Sequence, residues 1–129
     1  MKISKTMVKY YLDYVTVVYF GDHTEPPEDL ADYDDCIQNI RFFAGEAGDL
    51  PWLQLALQHL LSHPELDLSE YRGVYPFRSE AVREILRHVW ATLWPESEVP
   101  EPGEGANVDL VPMAAEDWAA TRRRYAGGG

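Results

Sequence analysis

A chain of 129 residues, 46% hydrophobic and 26% charged, has the make-up of one ordinary globular domain. Eleven Lys and Arg against 22 Asp and Glu give a formal charge of −11, which argues against direct nucleic-acid binding and anionic membrane surfaces, both of which need basic side chains. No run approaches the roughly 18–20 apolar residues of a spanning helix, and the lone cysteine, Cys36, allows no internal disulfide and points to a reducing, cytoplasmic home.

Ser4 is placed to cap a first helix reaching about Phe20, with Met7, Tyr11, Tyr14 and Val18 on one stripe. A strand is the rival for Tyr14–Phe20, a β-branched and aromatic run. Met1 to Lys5 is not read as a secretory leader. Lys9, Asp13 and tyrosines follow it, without a small-residue cleavage pattern. After a turn at Gly21–Glu25, the steps Leu30, Tyr33, Ile37, Ile40 and Ala44 predict a helix from Pro27 to Ala44, with Gly45 as its stop.

Asp49 is a candidate cap for a third helix, with Pro51 in its first turn, Leu53, Leu57, Leu60 and Leu61 on its apolar face, and His63-Pro64 at its end. Residues 65–77 lack a period, although Gly73–Tyr75 could form a short extended piece. Ser79 is the expected cap of a fourth helix carrying Val82, Leu86, Val89, Trp90 and Leu93, closed by Trp94-Pro95. The Pro/Glu/Gly-rich stretch 95–107 reads as a mobile acidic loop. Val108–Val111 either adds a short extended strand or simply docks on the bundle, and Ala114–Arg124 has the composition of a last helix anchored by Trp118. The expected architecture is mainly α: one domain over residues 1–126, a compact bundle of four to five helices, followed by a frayed tail at 127–129.

The strongest functional signal is acidic. Asp22, Glu25, Glu28, Asp29, Asp32, Asp34 and Asp35 crowd one segment without a single Lys or Arg. On the expected second helix Glu28, Asp32 and Asp35 share one face, where repulsion costs little if the face is solvated and is relieved if a basic partner covers it. Tyr71 and Tyr75 supply candidate aromatic anchors beside it. The expected partner-binding set is therefore Glu25, Glu28, Asp29, Asp32, Asp35, Tyr71 and Tyr75, for a basic protein partner.

His59 and His63 sit four residues apart, a spacing that can hold zinc, but the metalloprotease glutamate is missing. Cys36 beside Asp34 and Asp35 makes a poor nucleophile, because negative neighbours suppress the thiolate. No catalytic residue, metal site or cofactor is assigned. Arg83 and Arg87 have Glu80 and Glu84 as i,i+3 partners, and Arg122, Arg123 and Arg124 suit a helix C-terminus.

The segment from His63-Pro64 to Val74-Tyr75-Pro76, between two helices, resembles the loop between the middle helices of colicin-type nuclease immunity proteins. Those are small acidic helical inhibitors whose His-Pro and Tyr-Tyr-Pro elements flank the toxin-binding region. The spacing here is longer and Val74 replaces one tyrosine, so the resemblance transfers no site residue. The leading expectation is a non-enzymatic acidic protein-binding module, an immunity protein or an inhibitor of a basic toxin or nucleic-acid-binding protein. The alternatives are a small metal-dependent or hydrolytic enzyme using His59 and His63, and a structural or self-associating domain.

Overall fold

A computed structural model describes residues 1–103 and 108–127. It is mainly α, with five helices: α1 (Lys5–Thr16), α2 (Asp34–Ala47), α3 (Leu50–Ser62), α4 (Ser79–Leu93) and α5 (Ala115–Ala126). Two three-residue strands, β1 (Lys2–Ser4) and β2 (Asp109–Val111), pair in parallel with Ile3 opposite Leu110. Packing of α1 on α2, and of α4 on α2 and α3, closes the core. Val8, Leu12, Val15, Ile37, Ile40, Leu53, Leu57 and Leu86 meet there with almost no exposure, and their burial from water is the main stabilising force.

Ser4 caps α1 as expected, its hydroxyl accepting the Met7 N–H at 3.0 Å. The helix then stops at Thr16, four residues short of Phe20, and Val18–Gly21 forms a 3-10 turn rather than helix or strand. The cause is both local and distant. The Thr16 hydroxyl bonds back to the Leu12 carbonyl at 3.0 Å, while the Thr16 carbonyl accepts the Val74 N–H at 3.3 Å. Thr16, Val17 and Val18 are also β-branched, which weakens the helical alternative.

The second helix begins seven residues later than its apolar period suggests. Leu30–Tyr33 is a 3-10 turn, and Asp29 starts it by accepting the Ala31 N–H at 2.9 Å. The step of three from Leu30 to Tyr33 survives in such a turn, so Tyr33 is buried like Ile37, Ile40 and Ala44 despite the different backbone. Gly45 lies inside α2. The stop is Gly48, whose φ of 78° is left-handed and returns its N–H to the last turn.

Other boundaries differ in which side chain does the work. Ser79 opens α4 but does not cap it; its hydroxyl accepts the Leu68 N–H at 2.9 Å and donates to Asp67 at 3.1 Å, fastening the 65–77 segment. Gly73–Tyr75 is not extended, since Gly73 turns with φ 70°. The short strand expected near 108–111 is present as β2. From the 95–107 loop, Ser97 accepts the Trp90 indole N–H at 3.1 Å and Gly103 N–H reaches the Ser62 carbonyl at 2.8 Å. The expected mobility of 104–107 and fraying of 128–129 lie outside the described residues.

Gly73 is the position where a side chain has no room: an added Cβ would lie 2.3 Å from the Thr16 carbonyl oxygen. Gly73→Ala is expected to lower stability by about 2–4 kcal/mol, through the clash and the positive φ together. Urea unfolding measures it, and a change below about 0.5 kcal/mol would contradict this account of the α1 terminus.

Candidate functional site

Asp22, Glu25, Glu28, Asp29, Asp32 and Asp35 are all exposed. Among the described residues the recorded Lys and Arg ion pairs are Lys5–Glu70 at 3.2 Å, Arg87–Glu84 at 2.6 Å and Arg122–Asp49, so none neutralises these six. Asp34, half-buried, meets His88 Nε2 at 2.7 Å. The shared helical face of Glu28, Asp32 and Asp35 does not form. Glu28 precedes the helical region, Asp32 lies in the 3-10 turn and Asp35 on α2. The six carboxylates instead follow the surface path from Asp22 to the first turn of α2.

Tyr75 joins this path from a distant part of the chain. Its hydroxyl donates to Glu25 Oε2 at 3.2 Å, and its ring stacks on Phe20 with centroids 5.4 Å apart. The hydrogen bond to Glu25 and the carboxylate's charge both raise the phenol above its ordinary range. Val74 is 63% exposed beside it; Val18, 54% exposed, follows the Thr16 carbonyl to which Val74 bonds. Tyr71, expected as a second surface anchor, is instead a core residue, 5% exposed. The 3-10 turn at Ser69–Tyr71 points its ring inward, where apolar packing outweighs any gain at the surface.

The histidine pair is close but committed. The His59 and His63 rings lie 4.5 Å apart, with His63 Nδ1 2.8 Å from the His59 carbonyl oxygen. No group of three or more His, Cys, Asp or Glu among the described residues is placed to hold a metal ion. The Cys36 thiol is raised by burial first and by Asp35 second, which keeps it protonated and unreactive at neutral pH. Of the two expected ion pairs on α4 only Arg87–Glu84 forms. Arg83 is buried and donates to the carbonyls of Pro64 at 2.9 Å and Leu66 at 3.4 Å.

Two features escape sequence reading. One is an aromatic stripe across α1 and α2. The Tyr10 and Tyr14 hydroxyls lie 3.3 Å apart, Tyr14 stacks on Phe43 at 5.6 Å, and Phe43 meets Phe42 edge-on at 5.1 Å. Phe42 and Phe43 are 60% and 45% exposed; their signal was that both fall off the buried period of α2. The other is a node built on Asp49, 5% exposed at the start of α3. Its carboxylate caps no helix. It accepts the Tyr11 hydroxyl at 2.6 Å, the Trp118 indole N–H at 3.0 Å and the Arg122 guanidinium. The node borders a cavity of about 390 Å³ lined by Met7, Tyr10, Met113, Ala119 and others from α1 and α5.

Neither a protein-family model, nor a curated protein, nor a solved structure matches this chain.

Burial, then the Asp49 hydrogen bond, then the Asp49 charge raise the Tyr11 phenol well above its ordinary value, and burial pushes Tyr33 up to about 12. In the unfolded chain both ionise near pH 10. Their contribution is therefore whole below about pH 10 and lost as pH climbs through the folded values. Stability is expected to fall steeply above about pH 10, and Tyr11→Phe should flatten that decline in pH-dependent unfolding. At neutral pH, Asp49→Ala is expected to cost about 3–5 kcal/mol because Arg122, Trp118 and Tyr11 lose their shared acceptor. Denaturant midpoints report it; a loss under about 1 kcal/mol would show that the node is dispensable.

Proposed function

We propose that this protein is a non-enzymatic binding module that captures a basic protein partner, as an immunity protein or inhibitor does. The contact surface is the path Glu25, Glu28, Asp29, Asp32 and Asp35, with Tyr75 at its edge and Val18 and Val74 as apolar neighbours. One observation carries the reading: six exposed carboxylates follow one another from Asp22 to Asp35, and no Lys or Arg among the described residues pairs with any of them. A solvated acidic segment repels itself, and a cationic surface relieves that repulsion while the negative field speeds encounter. Tyr75 then offers a ring already oriented by Phe20 and Glu25, so little side-chain entropy is lost when it is covered.

The product of the gene beside its own is the first partner to test, by titration calorimetry at low and moderate salt. Binding is expected to weaken at least about tenfold between ~50 and ~250 mM salt. Glu28→Lys with Asp32→Lys should weaken it further and slow association, whereas Tyr75→Ala should mainly hasten dissociation. Affinity indifferent both to salt and to the charge reversals would sink the proposal.

A further inference from the structure

The cavity beside Asp49 lies at the other half of α1 from the acidic path and has a different chemistry. Its volume of about 390 Å³ falls in the range of small-molecule sites, which are mostly apolar with a few convergent polar groups. Met7, Met113, Ala115, Ala119, Tyr10 and Trp118 provide the walls. Asp49 and Arg122 provide the charge, but unequally: the Asp49 side chain is 7% exposed and the Arg122 side chain 25%. The carboxylate is covered by its three donors. What the pair offers a visitor is the guanidinium, which carries five N–H donors and matches a carboxylate with two parallel bonds. Thr6, also on the wall, accepts the Met113 N–H at 3.1 Å through its oxygen and keeps its own O–H to donate. Tyr10, 56% exposed, stands at the rim with a ring face and a hydroxyl.

Donors inside apolar walls select an acceptor on an apolar body. A cation is disfavoured there, because Arg122 is the accessible charge and Asp49 is already neutralised by it. We propose that this cavity binds a small monocarboxylate with a flat apolar body, the carboxylate held by Arg122 and the body by Met7, Tyr10, Met113 and Trp118. The carboxylate would extend the Asp49–Arg122 pair into a line of alternating charge, with Trp118 touching both the node and the ligand. Occupancy would also add a link between α1 and α5, which already share the Asp49 node. This site is independent of the acidic surface, and neither proposal needs the other.

The Trp118 indole N–H, bonded to Asp49, is a built-in reporter, and that of Trp90, bonded to Ser97, is a control. Indole-3-acetate and 4-phenylbutyrate, each against its own amide, are titrated into nitrogen-15-labelled protein. The acids are expected to move the Trp118 indole resonance and leave that of Trp90 in place, with the amides binding at least about tenfold more weakly. Arg122→Lys should weaken the acids and not the amides. Ala119→Leu, which fills the cavity from a residue that gives the node no hydrogen bond, should abolish binding of all four and covers the case in which the Arg122 variant fails to fold. The proposal is overturned if neither acid moves the Trp118 resonance at millimolar concentration, if acid and amide bind alike, or if Ala119→Leu binds as the parent does.

Discussion

The Asp49 carboxylate sits where α2 hands over to α3, and backbone and side chain are committed together. Its N–H bonds the Ala44 carbonyl at 2.8 Å, its carbonyl accepts the Leu53 N–H at 2.8 Å, and its two oxygens receive three side-chain donors from α1 and α5. Taking a carboxylate out of water costs several kcal/mol unless charge and hydrogen bonds replace the solvent. The fold meets that demand with one guanidinium, one indole and one phenol. The consequence is positional. α5 buries only Trp118 and Thr121, so its seat depends on the node, on Trp52 of α3, whose ring meets those of Trp118 and Tyr125, and on the Tyr125 hydroxyl, which donates to the Lys2 carbonyl of β1 at 2.6 Å.

Elsewhere the chain leaves its carboxylates in water. Of 22 acidic residues only Asp49 is buried among those described, and the segment from Asp22 to Asp35 is held by capping, by Tyr75 and by the contact of Asp34 with His88 rather than by Lys or Arg. Exposed like charges cost tenths of a kcal/mol each in high dielectric, so such a surface persists without a structural purpose of its own. α1 connects the two regimes. Its N-terminal half lines the cavity through Thr6, Met7, Tyr10 and Tyr11, and its C-terminal end leads through Val18 into the acidic path.

Much of the fold was legible because burial repeats along a helix. Ile37, Ile40 and Ala44 on α2, and Val82, Leu86, Val89, Trp90 and Leu93 on α4, announced their inward faces and are buried. The same pattern misplaced the start of α2, because residues three apart, such as Leu30 and Tyr33, align in a 3-10 turn as well as in an α-helix. It also carried α1 too far, since nothing local reveals that the Thr16 carbonyl is claimed by Val74. Of the expected binding residues, exposure of the five carboxylates followed from their chemistry, and Tyr75 joined them. Tyr71 did not, because an amphipathic ring suits core and surface alike and only its neighbours choose.

Composition and periodicity by themselves determined that the chain forms a helical domain with an acidic exterior, which helices exist, and where proline ends α3 and α4. These are consequences of local sterics and of apolar spacing within a dozen residues. Tertiary structure alone decided that Asp49 faces inward to Arg122 instead of capping α3, that Arg83 serves two carbonyls instead of Glu80, and that Tyr75 meets Glu25. A buried charge takes whichever partner the fold brings within bonding distance. For Asp49 and Arg122 that partner lies 73 residues away along the chain, beyond the reach of any local pattern.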